Sequence, residues 1–176
     1  MFRKATTFLA GLTLTVLLVS CGGNADNSGQ GDNPGTEKAT AAVSFEAYDL
    51  SGTLRGSDEW IGKQPVVVNI WGTWCPPCRR EIPDLIKLYD EFGPKGVEII
   101  GLAVERGSPD NVGPFAQQMG MKWVMLIGSR EHLIQYETSS VPTTIFYDRN
   151  GNVVERMTGM RSYEEFRPAF ELIAKS

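Results

Sequence analysis

Cys75 and Cys78 are separated by two prolines in the run Trp74-Cys75-Pro76-Pro77-Cys78. Two thiols at that spacing can be joined reversibly, and the chemistry of such a pair is dithiol–disulfide exchange, in which a thiolate attacks a disulfide sulfur. The run follows the apolar stretch Val66-Val67-Val68-Asn69-Ile70-Trp71. The sequence therefore predicts a strand feeding a helix that opens at the cysteines. A helix start leaves backbone N–H groups unpaired and carries the positive end of the helix dipole. Both favour a thiolate on Cys75, the candidate nucleophile and the sulfur expected to be the more exposed. Cys78 falls one helical turn later, within reach for a disulfide. Pro76 and Pro77 occupy the first turn, where a missing N–H costs little, and they stiffen the loop between the sulfurs.

The chain of 176 residues is long enough for one domain with a substantial core. Its start reads differently from the rest. Met1-Phe2-Arg3-Lys4 is a short basic segment, and 5–20 is apolar or small with no charge. This pattern is that of a secretory leader, too short for a membrane span. The leader ends Leu18-Val19-Ser20-Cys21, which resembles the lipobox of bacterial lipoproteins. That resemblance implies cleavage before Cys21, lipid on its thiol and a membrane-anchored, extracytoplasmic protein. Residues 21–42 are rich in Gly, Asn, Asp, Ser and Thr and read as a flexible tether. Some twenty such residues hold a domain about 25 Å from the bilayer on average. The folded domain is expected over 43–176.

Of the three cysteines, lipidation of Cys21 leaves Cys75 and Cys78 as one possible internal disulfide. As a mere staple it would close a tiny loop and constrain the unfolded chain little. An exported protein lives where disulfides persist. Loss of the leader removes Arg3 and Lys4 and takes the formal charge from −4 to −6, a poor balance for nucleic-acid binding. One histidine and no second Cys-x-x-Cys leave a four-ligand zinc site short of ligands, so no metal and no cofactor is expected. The histidine, His132, reads as a solvated helix residue.

The elements that must position the pair follow from periodicity. Val43 to Leu50 reads as an edge strand before a Ser51-Gly52 turn. Pro65 to Trp71 is β-branched and continuous, as in a strand buried on both faces, with Trp71 in the core. Pro76 to Phe92 has helical spacing, with Pro83 expected to kink it and Gly93-Pro94-Lys95-Gly96 to stop it. Val97 to Val104 and Trp123 to Ile127 read as strands, and Pro109 to Met119 and Arg130 to Tyr136 as helices. Thr143 to Tyr147 and Asn152 to Met157 read as a hairpin across Asp148-Arg149-Asn150-Gly151. Ser162 to Ala174 reads as a last helix, with Ser162 as N-cap and Glu165 three residues on. Alternating strands and helices with a closing hairpin predict an α/β domain built on a mixed sheet.

From Val43 onward the chain resembles the thioredoxin-like proteins of the TlpA/ResA group. The likeness is densest from Val67 through the cysteines to Arg79-Arg80-Glu81-Ile82-Pro83. It recurs at Val141-Pro142-Thr143-Thr144 and at Asp148-Arg149-Asn150-Gly151. The resemblance implies a thioredoxin-like fold, a central mixed sheet flanked by helices with an N-terminal strand extension, and a membrane-tethered thiol-disulfide oxidoreductase. Thioredoxins carry a buried aspartate six residues before the first cysteine; here Asn69 stands there and cannot accept a proton. The TlpA/ResA group has instead a glutamate three residues after the second cysteine, which corresponds to Glu81. A carboxylate there would raise the thiol pKa values and could relay a proton; its ordinary alternative is a solvated glutamate paired with an arginine. The resemblance makes the Val141-Pro142 bond cis, lies that proline against the disulfide and leaves the backbone before it to pair with a client. Trp74 is expected as a partly exposed wall of the site.

The function implied is reduction of disulfides in exported proteins, with supply of reduced cysteines for c-type haem attachment as the family role. Its partners would be client thiols and disulfides, a membrane electron donor for re-reduction and the membrane itself, the protein being a monomer. A disulfide oxidant or isomerase would use the same residues at another redox poise, and a binding lipoprotein would carry the dithiol idle. A peroxiredoxin-like site wants Thr or Ser three residues, and Pro seven residues, before its reactive cysteine; Gly72 and Val68 stand there. A copper chaperone usually spaces its cysteines by three residues.

Overall fold

The computed structural model describes residues 43–176. One seven-stranded sheet runs through the domain in the order β2-β1-β5-β4-β3-β6-β7. Its strands are β1 (Glu46–Asp49), β2 (Leu54–Gly56), β3 (Val66–Trp71), β4 (Glu98–Val104), β5 (Val124–Gly128), β6 (Thr143–Tyr147) and β7 (Val153–Thr158). β3, β4 and β5 are parallel. β6 and β7 add antiparallel strands beyond β3, and β1 and β2 beyond β5. The helices are α1 (Pro76–Phe92), α2 (Val112–Met119), α3 (Arg130–Gln135) and α4 (Tyr163–Ala174).

Every residue of β3 is buried, which is why its sequence shows no polar alternation. Successive residues still face opposite sides. Val67 and Trp71 pack with Ile82, Leu85, Phe92, Phe146, Phe166 and Phe170, beneath α1 and α4. Val66, Val68 and Ile70 pack on the other face with Ile100, Leu102, Leu126, Tyr136 and Tyr147. Each such side chain contributes about 1.5–3 kcal/mol when fully buried. Asn69 shares the period of Val67 and Trp71, so the one polar residue of β3 lies under α1.

The N-terminal strand is shorter than expected and is not an edge. The unforeseen β2 pairs outside it, with Tyr48 opposite Leu54. Three residues with exposed or half-buried side chains give β2 no hydrophobic pattern of its own. The helix expected from Pro109 is a 3₁₀ turn over Pro109–Asn111 that leads into α2, with Ser108 Oγ accepting from Asp110 N at 3.2 Å. α1 continues through Pro83, which lies on its exposed side. α4 carries the expected reciprocal cap: Glu165 N donates to Ser162 Oγ at 3.4 Å and Ser162 N to Glu165 Oε2 at 2.8 Å.

His132 is not solvated. It is 9% exposed, and its ring meets Phe45 edge-on. Nδ1 accepts from Ser129 N at 2.9 Å, which places the proton on Nε2, 2.9 Å from the Glu46 carbonyl oxygen. The histidine thus ties α3 to β1. The α3 sequence alone does not show the strand that covers it.

Candidate active site

Cys75 is the N-cap of α1, with extended backbone, and Cys78 lies in the first turn. The two are joined as a disulfide with their Cα atoms 5.3 Å apart. Cys78 N donates to Cys75 Sγ at 3.2 Å, so an otherwise orphaned N–H of the helix start points at that sulfur. Cys75 is 2% exposed and Cys78 is fully buried. The asymmetry between the two residues has the expected sense but is slight.

The distant residues converge on this bond. Val141–Pro142 is cis, Pro142 is buried, and the Val141 carbonyl oxygen lies 3.7 Å from Cys75 Sγ. Trp74 is half-buried beside the cysteines, and its indole N–H donates to the Val104 carbonyl at 2.9 Å. That bond depends on Gly72, where a Cβ would stand 2.6 Å from Trp74 Nε1 and 2.9 Å from Val104 O. The loop is held from below by Glu105, whose two oxygens accept from Thr73 N at 2.7 Å and Thr73 Oγ1 at 2.8 Å. Glu105 and Arg106, whose guanidinium stacks on Trp74, carry no sequence signal of their own, and Gly72 and Thr73 show only as members of the run that carries the resemblance. Each acts through a partner that only the fold supplies.

Glu81 lies one turn beyond Cys78 and is 1% exposed, not solvated as its ordinary alternative would have it. Asn69 Nδ2 donates to Glu81 Oε1 and to Thr144 Oγ1, each at 2.9 Å. Arg161 opposes the burial twice: its backbone N donates to Glu81 Oε2 at 3.4 Å, and its side-chain charge favours the ionised carboxyl without a direct contact. Burial dominates and pushes the carboxyl up from 4.5 to about 7, against the opposing bonds from Asn69 and Arg161. Asn69 Oδ1 is buried without a partner. Asn69, which does not replace the thioredoxin aspartate as a proton acceptor, instead holds the carboxyl that does titrate. Thr144 joins the same cluster from the Val-Pro-Thr-Thr run.

The sequence-derived residues Trp74, Cys75, Cys78, Val141 and Pro142 thus meet at one end of the sheet, with Glu81 buried one turn along α1. Cys21 falls outside the described residues. Among the described residues no group of His, Cys, Asp and Glu side chains could hold a metal, and no helix is long and apolar enough to cross a membrane.

Comparison with known proteins shows the family of the chain. The AhpC/TSA family model matches residues 39–156. Thiol-disulfide oxidoreductase ResA of Geobacillus thermodenitrificans is 37% identical over 145 residues, 78% of this chain and 82% of that protein. ResA of Halalkalibacterium halodurans is 37% identical over 134 residues, 75% and 74% of the two chains. Among solved structures, a thioredoxin-family thiol:disulfide interchange protein of Chlorobium tepidum superposes with a TM-score of 0.69 at 27% identity, covering 80% of this chain and 99% of that one. The chain therefore belongs to the AhpC/TSA family and, among thioredoxin-like proteins, to the ResA type of thiol-disulfide oxidoreductases, with Cys75 and Cys78 as its dithiol pair.

Proposed function

We propose that the protein reduces disulfides in exported proteins while anchored to a bacterial membrane by lipid on Cys21, with 1–20 as leader, 21–42 as tether and 43–176 as the catalytic domain. In the reduced state the Cys75 thiolate attacks one sulfur of a client disulfide, forming a mixed disulfide and releasing the client's other sulfur as a thiolate. The Cys78 thiolate then attacks Cys75 Sγ, the intermolecular bond breaks, and the client leaves as a dithiol. Two electrons pass from the protein to the client, and a membrane donor restores the Cys75–Cys78 dithiol. The observation that carries this reading is the placement of Cys75 Sγ: at a helix start, taking the Cys78 N–H, 3.7 Å from the Val141 carbonyl. The helix start favours the thiolate, and the Val141 backbone offers an extended client segment a strand-like partner. Trp74 walls the site, and Glu81 is the group that tunes the thiols and carries a proton. Delivery of reduced cysteines for haem attachment is the role the ResA likeness suggests.

Two measurements test the reading. A Cys78→Ala variant expressed in the native host should accumulate mixed disulfides through Cys75, and identification of the captured proteins names the clients. The reduction potential, read from glutathione equilibria, should lie well below the ~−120 mV of a strongly oxidising catalyst. A value near that figure reverses the direction, and the protein would then be an oxidant.

A further inference from the structure

The start of α1 favours acidic side chains, yet its first turn holds none. Just beyond it stand Arg79 and Arg80, both exposed. Pro76, Arg79, Arg80 and Met119 line an open cleft beside the disulfide loop. The Arg79 guanidinium carbon stands 5.5 Å from the ring centre of Phe115 on α2. On the Trp74 flank of the loop, the Arg106 guanidinium carbon lies 3.6 Å above the indole centre. Among the described residues none of these three arginines has a carboxylate within ion-pair distance, a state they share with Arg130, Arg149 and Arg156, whereas Arg55, Arg161 and Arg167 are paired. What sets Arg79, Arg80 and Arg106 apart in a chain with 21 acidic against 17 basic residues is their place, two in the cleft that Pro76 lines and one over Trp74. The carboxylate of Glu105, next to Arg106 in sequence, is turned onto Thr73. Stacking on an aromatic face fixes a guanidinium while leaving its N–H edge open to a ligand.

We propose that Arg79, Arg80 and Arg106 form a recognition rim for an anionic client segment: an extended peptide with Asp or Glu flanking the cysteine that Cys75 attacks. The proposal rests on the exchange reading above and names the substrate class of that site. Residues of an extended chain advance about 3.3 Å each, so carboxylates within a few residues of the client cysteine come level with the rim while the backbone runs beside Val141. At exposed sites each such contact changes affinity about two- to fivefold, so the rim sets preference rather than the chemistry.

The test uses three disulfide-closed peptides of equal length, flanked by Glu, Gln or Lys. The rate at which each oxidises the reduced protein is followed by tryptophan fluorescence. Dividing each rate by that peptide's rate with dithiothreitol removes intrinsic differences in disulfide reactivity. The expected order is Glu above Gln above Lys, with at least tenfold between the extremes in about 20 mM salt and a marked narrowing in about 300 mM. In the Arg79→Gln/Arg80→Gln/Arg106→Gln variant the Glu-to-Lys ratio should fall to about one or two, while Lys replacements at the three positions should retain most of it. An equal ratio in the wild type and the Gln variant, or preference for the Lys peptide, overturns the rim and leaves exchange intact. Failure of all three peptides to oxidise the protein overturns the exchange reading itself, and the rim with it.

Discussion

Glu81→Gln separates a buried titrating carboxyl from a merely structural one. Burial raises this group from 4.5 to about 7. Below about pH 4.5 the carboxyl is neutral in both the folded and the unfolded chain, and its titration costs the fold nothing. Between 4.5 and about 7 the unfolded chain has released a proton that the folded chain retains, so this group's contribution to stability falls as pH rises. Above about 7 the carboxylate is ionised in place, and the full cost is present. At about 1.4 kcal/mol for each tenfold change in proton affinity, the rise amounts to about 3 kcal/mol. A glutamine keeps an acceptor for Asn69 Nδ2, can lose at most the 3.4 Å bond from Arg161 N, and has no proton to release. Urea unfolding of the oxidised protein and the variant at about pH 4 and pH 8 gives two differences, and the titration of every other group cancels between them. The variant should gain about 3 kcal/mol relative to the wild type on going from the lower pH to the higher. A change below about 1 kcal/mol would refute the argument that desolvation governs this carboxyl. In the reduced proteins, removal of the charge should also move the alkylation midpoint of Cys75 to lower pH. An unaltered profile would exclude Glu81 from the thiol chemistry.

Other outcomes follow from the same geometry. Gly72→Ala drives a methyl against Trp74 Nε1 and the Val104 carbonyl; the indole should give way, losing its bond to Val104 at a cost of about 1–3 kcal/mol, and an unshifted indole N–H resonance would contradict this. His132→Ala removes partners from the Ser129 N–H and the Glu46 carbonyl and should destabilise the protein by about 2–4 kcal/mol; a wild-type unfolding midpoint would show that water replaces the ring. Cys21→Ala should move the protein from the membrane to the soluble fraction, and unchanged fractionation would count against the anchor.

What the sequence shows of the fold depends on whether an element's cause is local. β3 is legible because six consecutive buried residues, mostly β-branched, have few other readings. α4 is legible because its N-cap and the answering glutamate lie three residues apart. β2 is not: it exists because Tyr48 pairs with Leu54 and because Arg55 closes on Glu59 with its guanidinium over Trp60. None of that shows in the three residues Leu54-Arg55-Gly56. The burial of His132 was hidden likewise, since its partner Glu46 lies 86 positions away.

The same distinction runs through the active site. Cys75 and Cys78 declare themselves because a single helical turn joins them. The cluster behind them spans separations of 12 and 75 residues, from Asn69 to Glu81 and to Thr144, and rests on register. Asn69 is opposite Thr144 across β3 and β6 and beneath α1, and a slip of one residue would turn it to the far face of the sheet, away from Glu81. One trace of this does survive in the sequence. An amide in the middle of an otherwise apolar, fully buried strand must find a hydrogen-bonding partner, so Asn69 announces a polar group on its side of the sheet. Helical spacing narrows the candidates, because Glu81 is the acidic residue one turn past Cys78 and directly precedes the buried Ile82. What periodicity cannot decide is whether residue 81 faces inward with Ile82 or outward with Arg80. That is settled by the packing of α1 onto β3, and the choice converts an ordinary surface carboxylate into one that titrates near neutrality.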